Sequence, residues 1–382
     1  MSKLEQLIQE LCPDGVEYKK LGEICNISRG RVMSKDYIRN NIGQFPVYSS
    51  QTENNGELGK ITTYDFDGEY LTWTTDGANA GSVFYRNGKF SITNVCGLIE
   101  VRNELVNTKY LYYALTIETP KHVNSGMGNP KLMSNVMVEI KVPVPPLEVQ
   151  CEIVRILDKF TLLTAELTAE LTARRKQYEY YFIKILNENS YKKIKLGDIG
   201  QVKMCKRILK VQTNNKCGIP FYKIGTFGKE ADTFIDNETF EEYKSKYSYP
   251  RKGDVLISCS GTIGRTVIFD GKPAYFQDSN IVWLEHDSSK VLNDYLFYYY
   301  KTTPWVIPTG GTIARLYNDN ILKTEISIPT IEKQKEIVSK LKYFDKLCND
   351  ITNGLPAEIE LRQKQYEYYR DKLLTFKEKN NE

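Results

Sequence analysis

Apolar residues recur every three or four positions along residues 153–185, which is the spacing of a coiled-coil helix. The positions on this stripe are Ile153, Leu157, Phe160, Thr164, Leu167, Leu171, Arg174, Tyr178, Tyr181 and Ile185. Eight of the ten are apolar or aromatic. The stripe therefore predicts one long helix whose seam needs a partner helix.

A second stripe with the same spacing lies near the C-terminus, at Ile337, Leu341, Phe344, Cys348, Ile351, Leu355, Ile359, Arg362, Tyr366, Tyr369 and Leu373. Two consecutive steps of four residues mark a stutter, where the sequence NGLP is inserted at 353–356. Glycine suits a helix end and proline suits a first turn, so we expect a kink or a two-piece helix there. Two seams in one chain most simply pack on each other as antiparallel helices that hold two globular regions apart. The alternative is that each helix packs on its own domain.

Outside the stripes the pattern changes to short alternating runs broken by Gly, Asn and Asp, which is typical of strands. Such runs are KITTYDF, EYLTWTT and SVFYRNGKF in the first half and DVLISCS, RTVIFDG and NIVWLEH in the second. Helices are expected over 108–117 and 293–302. The predicted fold class is α+β (mixed α/β), with two globular domains and two long antiparallel coiled-coil helices.

The two halves of the chain repeat each other. VPPLEVQCEIVRIL at 144–157 matches PTIEKQKEIVSKL at 329–341, and RRKQYEYY at 174–181 matches RQKQYEYY at 362–369. YKKLGEI at 18–24 likewise pairs with KIKLGDI at 193–199. The repeat predicts four parts: a first globular domain over 1–145, a first conserved helix over 146–188, a second globular domain over 189–330 and a second conserved helix over 331–382.

The N-terminus extends this repeat. LIQELCPDGVEYKKLGEI at 7–24 aligns without gaps to FIKILNENSYKKIKLGDI at 182–199, so the chain begins with its own copy of the end of a long helix. We expect a helix over 4–11 to pack beside the C-terminal helix and to close the repeat.

Composition narrows the class of protein. A chain of 382 residues is too long for one hydrophobic core, and its net charge of +4 is compatible with nucleic acid without demanding it. The eight cysteines contain no CxxC pair, which indicates reduced thiols and no zinc ribbon. No apolar run approaches the roughly 18 residues of a membrane span, and the N-terminus has no secretory pattern. We expect a cytoplasmic protein with no metal site.

Basic residues cluster just after each LG(E/D)I segment. The candidate phosphate-binding residues are Arg29, Arg31, Lys35 and Arg39 in the first half and Lys203, Lys206, Arg207 and Lys210 in the second. In the repeat, Arg31 aligns with Lys206 and Lys35 aligns with Lys210. Lys131, aligned with Arg315, is a weaker candidate of the same kind. Ordinary solvated loop charges are the alternative for all ten.

No catalytic motif is found in the sequence. It has no GxxxxGK[ST] loop, GMGNPK at 126–131 is not a GxGxxG turn, and SCSGTIG at 258–264 is better read as a turn between strands. His122 and His286 are the two histidines, too few for most histidine-based sites. The only Pro-Pro pair, Pro145–Pro146, lies in VPVPPLE and not in the [DN]PP[YF] motif of adenine methyltransferases. We therefore expect neither enzyme activity nor a cofactor.

These segments together resemble the specificity subunit of type I restriction–modification systems. The resemblance rests on LGEI, on GNPKLMSNVMVEIKVPVPPLEVQCEIV in the first half and on GTIARLYNDNILKTEISIPTIEKQKEIVSKL in the second. It implies two target-recognition domains, each reading one half of a bipartite double-stranded DNA site. It also implies that the helices set the spacer and dock two modification subunits, with restriction subunits joining through the assembled complex.

Further interpretations remain open from the sequence. The chain could be an orphan DNA-binding subunit without active partners, or, with less support, a stand-alone DNA methyltransferase. The tyrosines of KQYEYY could serve the helix seam or a contact with another subunit. The tandem TAEL at 164–171 favours a helix whose length is functionally variable. A harmless duplication of the unit by slippage would produce the same sequence.

Overall fold

The computed structural model describes residues 3–126, 128–188, 190–307 and 314–379. These fall into two compact units. Unit 1 lies within Met1–Thr168 and Glu358–Glu382, and unit 2 is formed by Ala169–Ala357. Each unit therefore contains a part of the long helical segments as well as a globular part.

The helices of the described residues are numbered along the chain. They are α1 Lys3–Leu11, α2 Leu21–Ile24, α3 Lys35–Asn40, α4 Thr108–Glu118, α5 Ser134–Met137, α6 Leu147–Leu186, α7 Asn237–Lys246, α8 Asn293–Lys301, α9 Asn318–Lys323, α10 Ile331–Asn349 and α11 Leu355–Leu374. Polar caps fix several of their starts, because a side-chain oxygen satisfies an N–H that the helix leaves unpaired. Asn107 accepts from the Tyr110 N–H at 3.0 Å before α4, and Asp236 accepts from the Thr239 N–H at 2.7 Å before α7.

The strands are numbered in the same way. They are β1 Glu17–Lys20, β2 Cys25–Arg29, β3 Ile42–Tyr48, β4 Glu57–Ile61, β5 Phe66–Thr74, β6 Val83–Ile92, β7 Cys96–Val101, β8 Lys141–Val144, β9 Lys192–Lys195, β10 Gly200–Lys203, β11 Thr213–Asn214, β12 Ile219–Tyr222, β13 Phe234–Ile235, β14 Val255–Ser258, β15 Thr266–Ile268, β16 Tyr275–Phe276, β17 Ile281–His286 and β18 Glu325–Ile328. The chain is thus a mixture of helix and sheet.

Strand pairing repeats between the two units. In unit 1, β1 pairs antiparallel with β8 and β3 pairs parallel with β6. In unit 2, β9 pairs antiparallel with β18 and β12 pairs parallel with β16. Unit 1 joins its larger strands into one six-stranded sheet of order β2-β7-β5-β6-β3-β4. Unit 2 instead has two four-stranded sheets, of order β10-β17-β14-β15 and β11-β13-β12-β16.

The tryptophans of the two sheets belong to different cores. In unit 1, Trp73 on β5 lies opposite Gly97 on β7, and a Cβ added to Gly97 would overlap the Trp73 ring. In unit 2, the corresponding pair is Ile257 on β14 and Val282 on β17, and Trp283 is paired with Leu256. Trp73 lies in the core that includes α4, whereas Trp283 and Leu256 lie in a core cluster separate from that of α8.

A buried glutamine occupies the first turn of α6 and of α10. Gln150 accepts from the Asn107 N–H at 2.8 Å and donates to the Leu105 and Pro145 carbonyls at 2.8 and 2.6 Å. Gln334 makes the corresponding bonds in unit 2, accepting from the Leu292 N–H at 2.8 Å and donating to two carbonyls. Both side chains are fully buried. Each glutamine therefore ties the start of a long helix to the loop before α4 or α8.

The first and last described helices, α1 and α11, pack together within unit 1. Leu4 of α1 and Leu374 of α11 belong to one hydrophobic core, which also contains Ile153 and Leu157 of α6. Lys377 follows α11, and its carbonyl accepts from the backbone N–H of Val16 at 2.9 Å. Residues far apart in sequence therefore contribute to a single core.

A short turn at residues 350–354 separates α10 from α11. The carboxylate of Asp350 accepts from the Thr352 and Asn353 N–H groups at 2.8 and 3.1 Å, and the Gly354 N–H donates to the Asp350 carbonyl at 2.9 Å. Gly354 is buried so close to the Lys346 carbonyl that a Cβ would not fit. The NGLP insertion therefore produces two helices, as glycine and proline at these positions predict, whereas α6 is continuous over its 40 residues.

Candidate nucleic-acid interface

Arg31 is the most constrained cation of the first basic cluster. Its backbone forms a parallel bridge with Thr93, and its Nε lies 3.0 Å from Oδ2 of Asp65. The guanidinium carbon lies 5.4 Å from the centre of the Tyr37 ring. Hydrogen bonding to Tyr37 and to Asp65 raises the pKa of Arg31. This side chain is therefore held by its own unit, although it stays partly exposed.

The other predicted cations of unit 1 have separate surroundings. Arg29, at the end of β2, donates to Oγ of Ser134 at 3.3 Å, and Arg39 pairs with Asp36 within α3. Lys35, the first residue of α3, is exposed. Lys131 is also exposed, and its backbone bridges to Asp76 and Asn124. Among the described residues, the four therefore have different local surroundings.

Unit 2 brings three of its predicted cations together. Arg207, Lys210 and Arg315 line one cleft of about 520 Å³. Nε of Arg207 lies 2.9 Å from Oδ2 of Asp278, and Nη2 of Arg315 donates to the Ser279 carbonyl at 2.7 Å. Arg315 is distant in sequence from the other two, so the fold and not the sequence assembles this cleft. A concave surface rich in cations attracts anions such as nucleic-acid phosphates.

Lys203 and Lys206 lie outside the residues that line this cleft. Nζ of Lys203 is 3.1 Å from Oε1 of Gln201 and 3.7 Å from Oε2 of Glu285. Nζ of Lys206 lies 5.2 Å from the centre of the Tyr247 ring. Both lysines are therefore surface cations that interact with neighbouring side chains.

The cleft also contains polar residues that were not predicted from the sequence. Lys223, Asn215, Gln277 and Asn280 line it beside the three predicted cations. The sequence signal for two of them is the polar run QDSN at 277–280, placed between the aromatic strand β16 and the apolar strand β17. Within this run Ser279 has a backbone φ of +58°, a conformation that is uncommon for residues other than glycine.

The predicted seam residues divide by burial. The buried members are Ile153, Leu157, Leu171, Ile337 and Leu341, and the half-buried ones are Phe160, Leu167, Tyr178, Phe344 and Tyr366. Tyr181 and Tyr369 are exposed. In unit 1, the rings of Phe160 and Tyr369 stack with centroids 5.4 Å apart. In unit 2, Tyr178 and Phe344 lie 6.1 Å apart.

The two KQYEYY copies present the same surface. Tyr180 and Tyr181 are 59% and 39% exposed, and their counterparts Tyr368 and Tyr369 are 62% and 41% exposed. Each pair is packed edge to face, with ring centroids 5.4 Å apart in the first copy and 5.3 Å in the second. Exposed tyrosine pairs of this kind are enriched at protein interfaces.

Other site chemistries find little support among the described residues. No group of three or more His, Cys, Asp or Glu side chains in that part of the chain is placed to hold a metal ion. All eight cysteines, each of which is described, are free thiols, and six are buried. Both ring nitrogens of His286 lie within 3.1 Å of backbone carbonyls, of Leu284 and Val291. No described helix is long and apolar enough to cross a membrane.

Residues 13–174 and 188–361 both match the family model described as "Type I restriction modification DNA specificity domain". The first three residues of the GTIARL motif, 311–313, lie outside the described structure.

Similar proteins carry the corresponding names. A type I restriction enzyme specificity subunit of Haemophilus influenzae is 49% identical over 374 residues, covering 94% of this chain and 96% of that protein. A type I specificity subunit of Mycoplasma pneumoniae is 38% identical over 365 residues, covering 93% and 96%.

Solved structures share the fold at low sequence identity. The S subunit of a type I restriction–modification system from M. genitalium superposes with a TM-score of 0.58 at 14% identity, covering 94% of this chain and 96% of that one. A chain from a study of complex assembly in a type I system gives a TM-score of 0.58 at 16% identity, covering 95% and 98%.

Proposed function

This chain belongs to the type I restriction modification DNA specificity family, and from that premise we propose that it selects the DNA sequence on which such a system acts. In this proposal the globular domains, residues 1–145 and 189–330, each read one half of a bipartite double-stranded site. The helical segments, 146–188 and 331–382, set the spacer between the half-sites and dock two modification subunits. The chain itself is non-catalytic, and restriction subunits join through the complex.

The observation that carries the DNA-binding part of the proposal is the cation-lined cleft of unit 2. Arg207, Lys210, Lys223 and Arg315 all line it, whereas Asp278 is the acidic residue among its lining. Phosphate contacts supply most of the affinity of DNA-binding proteins, and polar side chains beside them read the bases. The cleft offers both kinds of group. In the sequence repeat, Lys35 of unit 1 aligns with Lys210 of the cleft, which supports an equivalent contact in unit 1.

Docking of modification subunits is supported by the exposed tyrosines. The pairs Tyr180–Tyr181 and Tyr368–Tyr369 have matching exposure and ring geometry although they lie in different repeats. Two equal surfaces suit two copies of one partner, since an identical patch recognises an identical counterpart. The related chain from the study of complex assembly is a member of such a multisubunit system.

Replacing Lys35 or Lys210 with alanine is expected to weaken binding to double-stranded DNA whatever its sequence. These two aligned lysines make the sharpest test, because neither side chain has an ion-pair partner among the described residues, whereas Arg31 and Arg207 stabilise their own units. Each substitution should reduce the slope of log affinity against log salt by about one, the value for one lost phosphate contact. Binding is measured with the full chain co-produced with a modification subunit, across a salt series.

The matched control is Lys272→Ala, which removes an exposed lysine that is outside both clusters and near Asp270. Its salt slope should equal that of the unmodified chain. If Lys35→Ala and Lys210→Ala also leave affinity and slope unchanged, these lysines do not contact DNA and the assignment of both clusters is wrong.

A further inference from the structure

We propose that Gln277 and Asn280 read bases in the half-site recognised by unit 2, and that the base they select is guanine. This inference rests on the proposed function, because it assumes that the cleft receives DNA. It goes further by naming the reading residues, which the cation clusters alone do not identify. It also gives Arg207 and Arg315 a different role from the phosphate contacts expected from the sequence.

The segment that carries both amides is held from two sides. It joins β16 to β17 along the cleft, and at Ser279 its backbone adopts a left-handed φ of +58°. Arg207 pairs with the Asp278 carboxylate at 2.9 Å, and Arg315 donates to the Ser279 carbonyl at 2.7 Å. A strained backbone persists only where its surroundings determine it. Arg207 and Arg315 are therefore positioning residues that fix the segment between Gln277 and Asn280.

The orientation of the Gln277 amide follows from its partner. The backbone N–H of Ile224 lies 3.0 Å from Oε1 of Gln277, and an N–H can only donate, so the oxygen must face it. The Nε2 group therefore points away from Ile224. Asn280 has a similar arrangement, since its Oδ1 accepts from the Ser260 hydroxyl at 2.9 Å. Among the described residues, neither amide nitrogen has a hydrogen-bond acceptor of its own.

The amide nitrogens are the ends that remain wholly free. Glutamine or asparagine usually reads adenine with both ends of the amide, accepting from N6 and donating to N7. Here each oxygen already accepts one hydrogen bond within unit 2, whereas neither NH₂ group has an acceptor among the described residues. An NH₂ group can only donate. In the major groove, guanine presents two adjacent acceptors, N7 and O6, whereas adenine and thymine present one each, so guanine offers the most to a pair of donors.

The charge of the cleft agrees with this selection. Asp278, which could accept from the cytosine N4 group, is paired with Arg207. Lys210 and Lys223 add further donors to the lining. The cleft therefore favours the acceptor-rich edge of guanine beside the phosphates that flank it.

The test replaces the two amides with carboxylates of the same shape, Gln277→Glu and Asn280→Asp. Each variant keeps an oxygen for the Ile224 N–H or the Ser260 hydroxyl and turns the donating NH₂ into an acceptor. Full chains co-produced with a modification subunit are used to select from duplexes in which both half-sites are randomised. At one position of one half-site, we expect the preference of each variant for guanine to fall about tenfold. The other half-site should be unchanged.

The control is Gln201→Glu, which introduces the same charge on β10, outside the residues that line the cleft, beside Lys203. Its selected motif should match that of the unmodified chain. The inference is overturned if both amide variants select the original motif or if the affected position is not guanine. It is also overturned if a variant that is folded, as its cooperative unfolding shows, loses affinity for all sequences equally. An unmodified chain that selects no split motif would instead overturn the proposed function, and this inference with it.

Discussion

Replacing Gln150 with leucine is expected to lower the free energy of unfolding of unit 1 by about 4 kcal/mol. The substitution keeps most of the side-chain volume but removes three hydrogen bonds, to the Asn107 N–H and to the Leu105 and Pro145 carbonyls. An unsatisfied buried backbone group costs about 1–3 kcal/mol, and the three groups lie around a fully buried side chain. Urea denaturation of the full chain, followed by far-UV circular dichroism, measures the change.

The second copy and an exposed glutamine provide the comparisons. Gln334→Leu should destabilise unit 2 by a similar amount, because it breaks the corresponding three bonds. Gln363→Leu on α11 should change stability by no more than about 0.5 kcal/mol, since that side chain is exposed and makes one contact of 3.4 Å with Glu367. Hydrogen exchange at the Asn107 amide should quicken in Gln150→Leu alone. If the stability of Gln150→Leu stays within about 1 kcal/mol of the parent chain, the hydrogen bonds of Gln150 do not stabilise unit 1 as the structure indicates.

Deleting one TAEL unit, Thr168–Leu171, is expected to shorten the spacer of the recognised DNA site by about one base pair. The unit lies inside the continuous helix α6, so its removal shortens the helix by ~6 Å and rotates the C-terminal part of α6 by a net turn of about 40°. One base pair of B-DNA corresponds to ~3.4 Å and roughly 35° of twist. The rotations nearly agree, whereas the difference in length would have to be absorbed by bending.

Selection from duplexes with a randomised gap measures this effect. The deleted chain should choose the same two half-sites with a shorter gap, because residues 1–145 and 189–330 are untouched. Glu166→Ala is the matched control, since it alters an exposed position of the repeat without changing helix length, and its gap should be unchanged. A deletion that alters the half-sites while leaving the gap intact would show that the repeat does not act as a spacer.

Local patterns predicted the helices well, because helix formation depends on neighbouring residues. The helices expected over 108–117 and 293–302 are Thr108–Glu118 and Asn293–Lys301, and the break at NGLP separates α10 from α11. The heptad step was less informative about burial. It places Tyr181 and Tyr369 on the seam, yet both are exposed. A repeat of three and four residues defines a face of a helix and does not show what covers each position.

The cleft could not be predicted from the sequence, since its lining residues come together only in the folded chain. Arg315 lies far along the chain from Arg207, and both contact the segment 278–279. The matching glutamines Gln150 and Gln334 were visible in the repeat, but their role depends on carbonyl groups that the sequence does not locate. The partners of Trp73 and Trp283 likewise depend on strand pairing, whose register is a property of the sheet.

The central claim is that this chain selects a split DNA site for a modification system. Sequencing of N6-methyladenine across the genome tests it most directly, in cells with the gene, without it, and with it restored. We predict that one bipartite methylated motif disappears when the gene is deleted and returns when it is restored. A methylome that is the same in all three strains would contradict the claim.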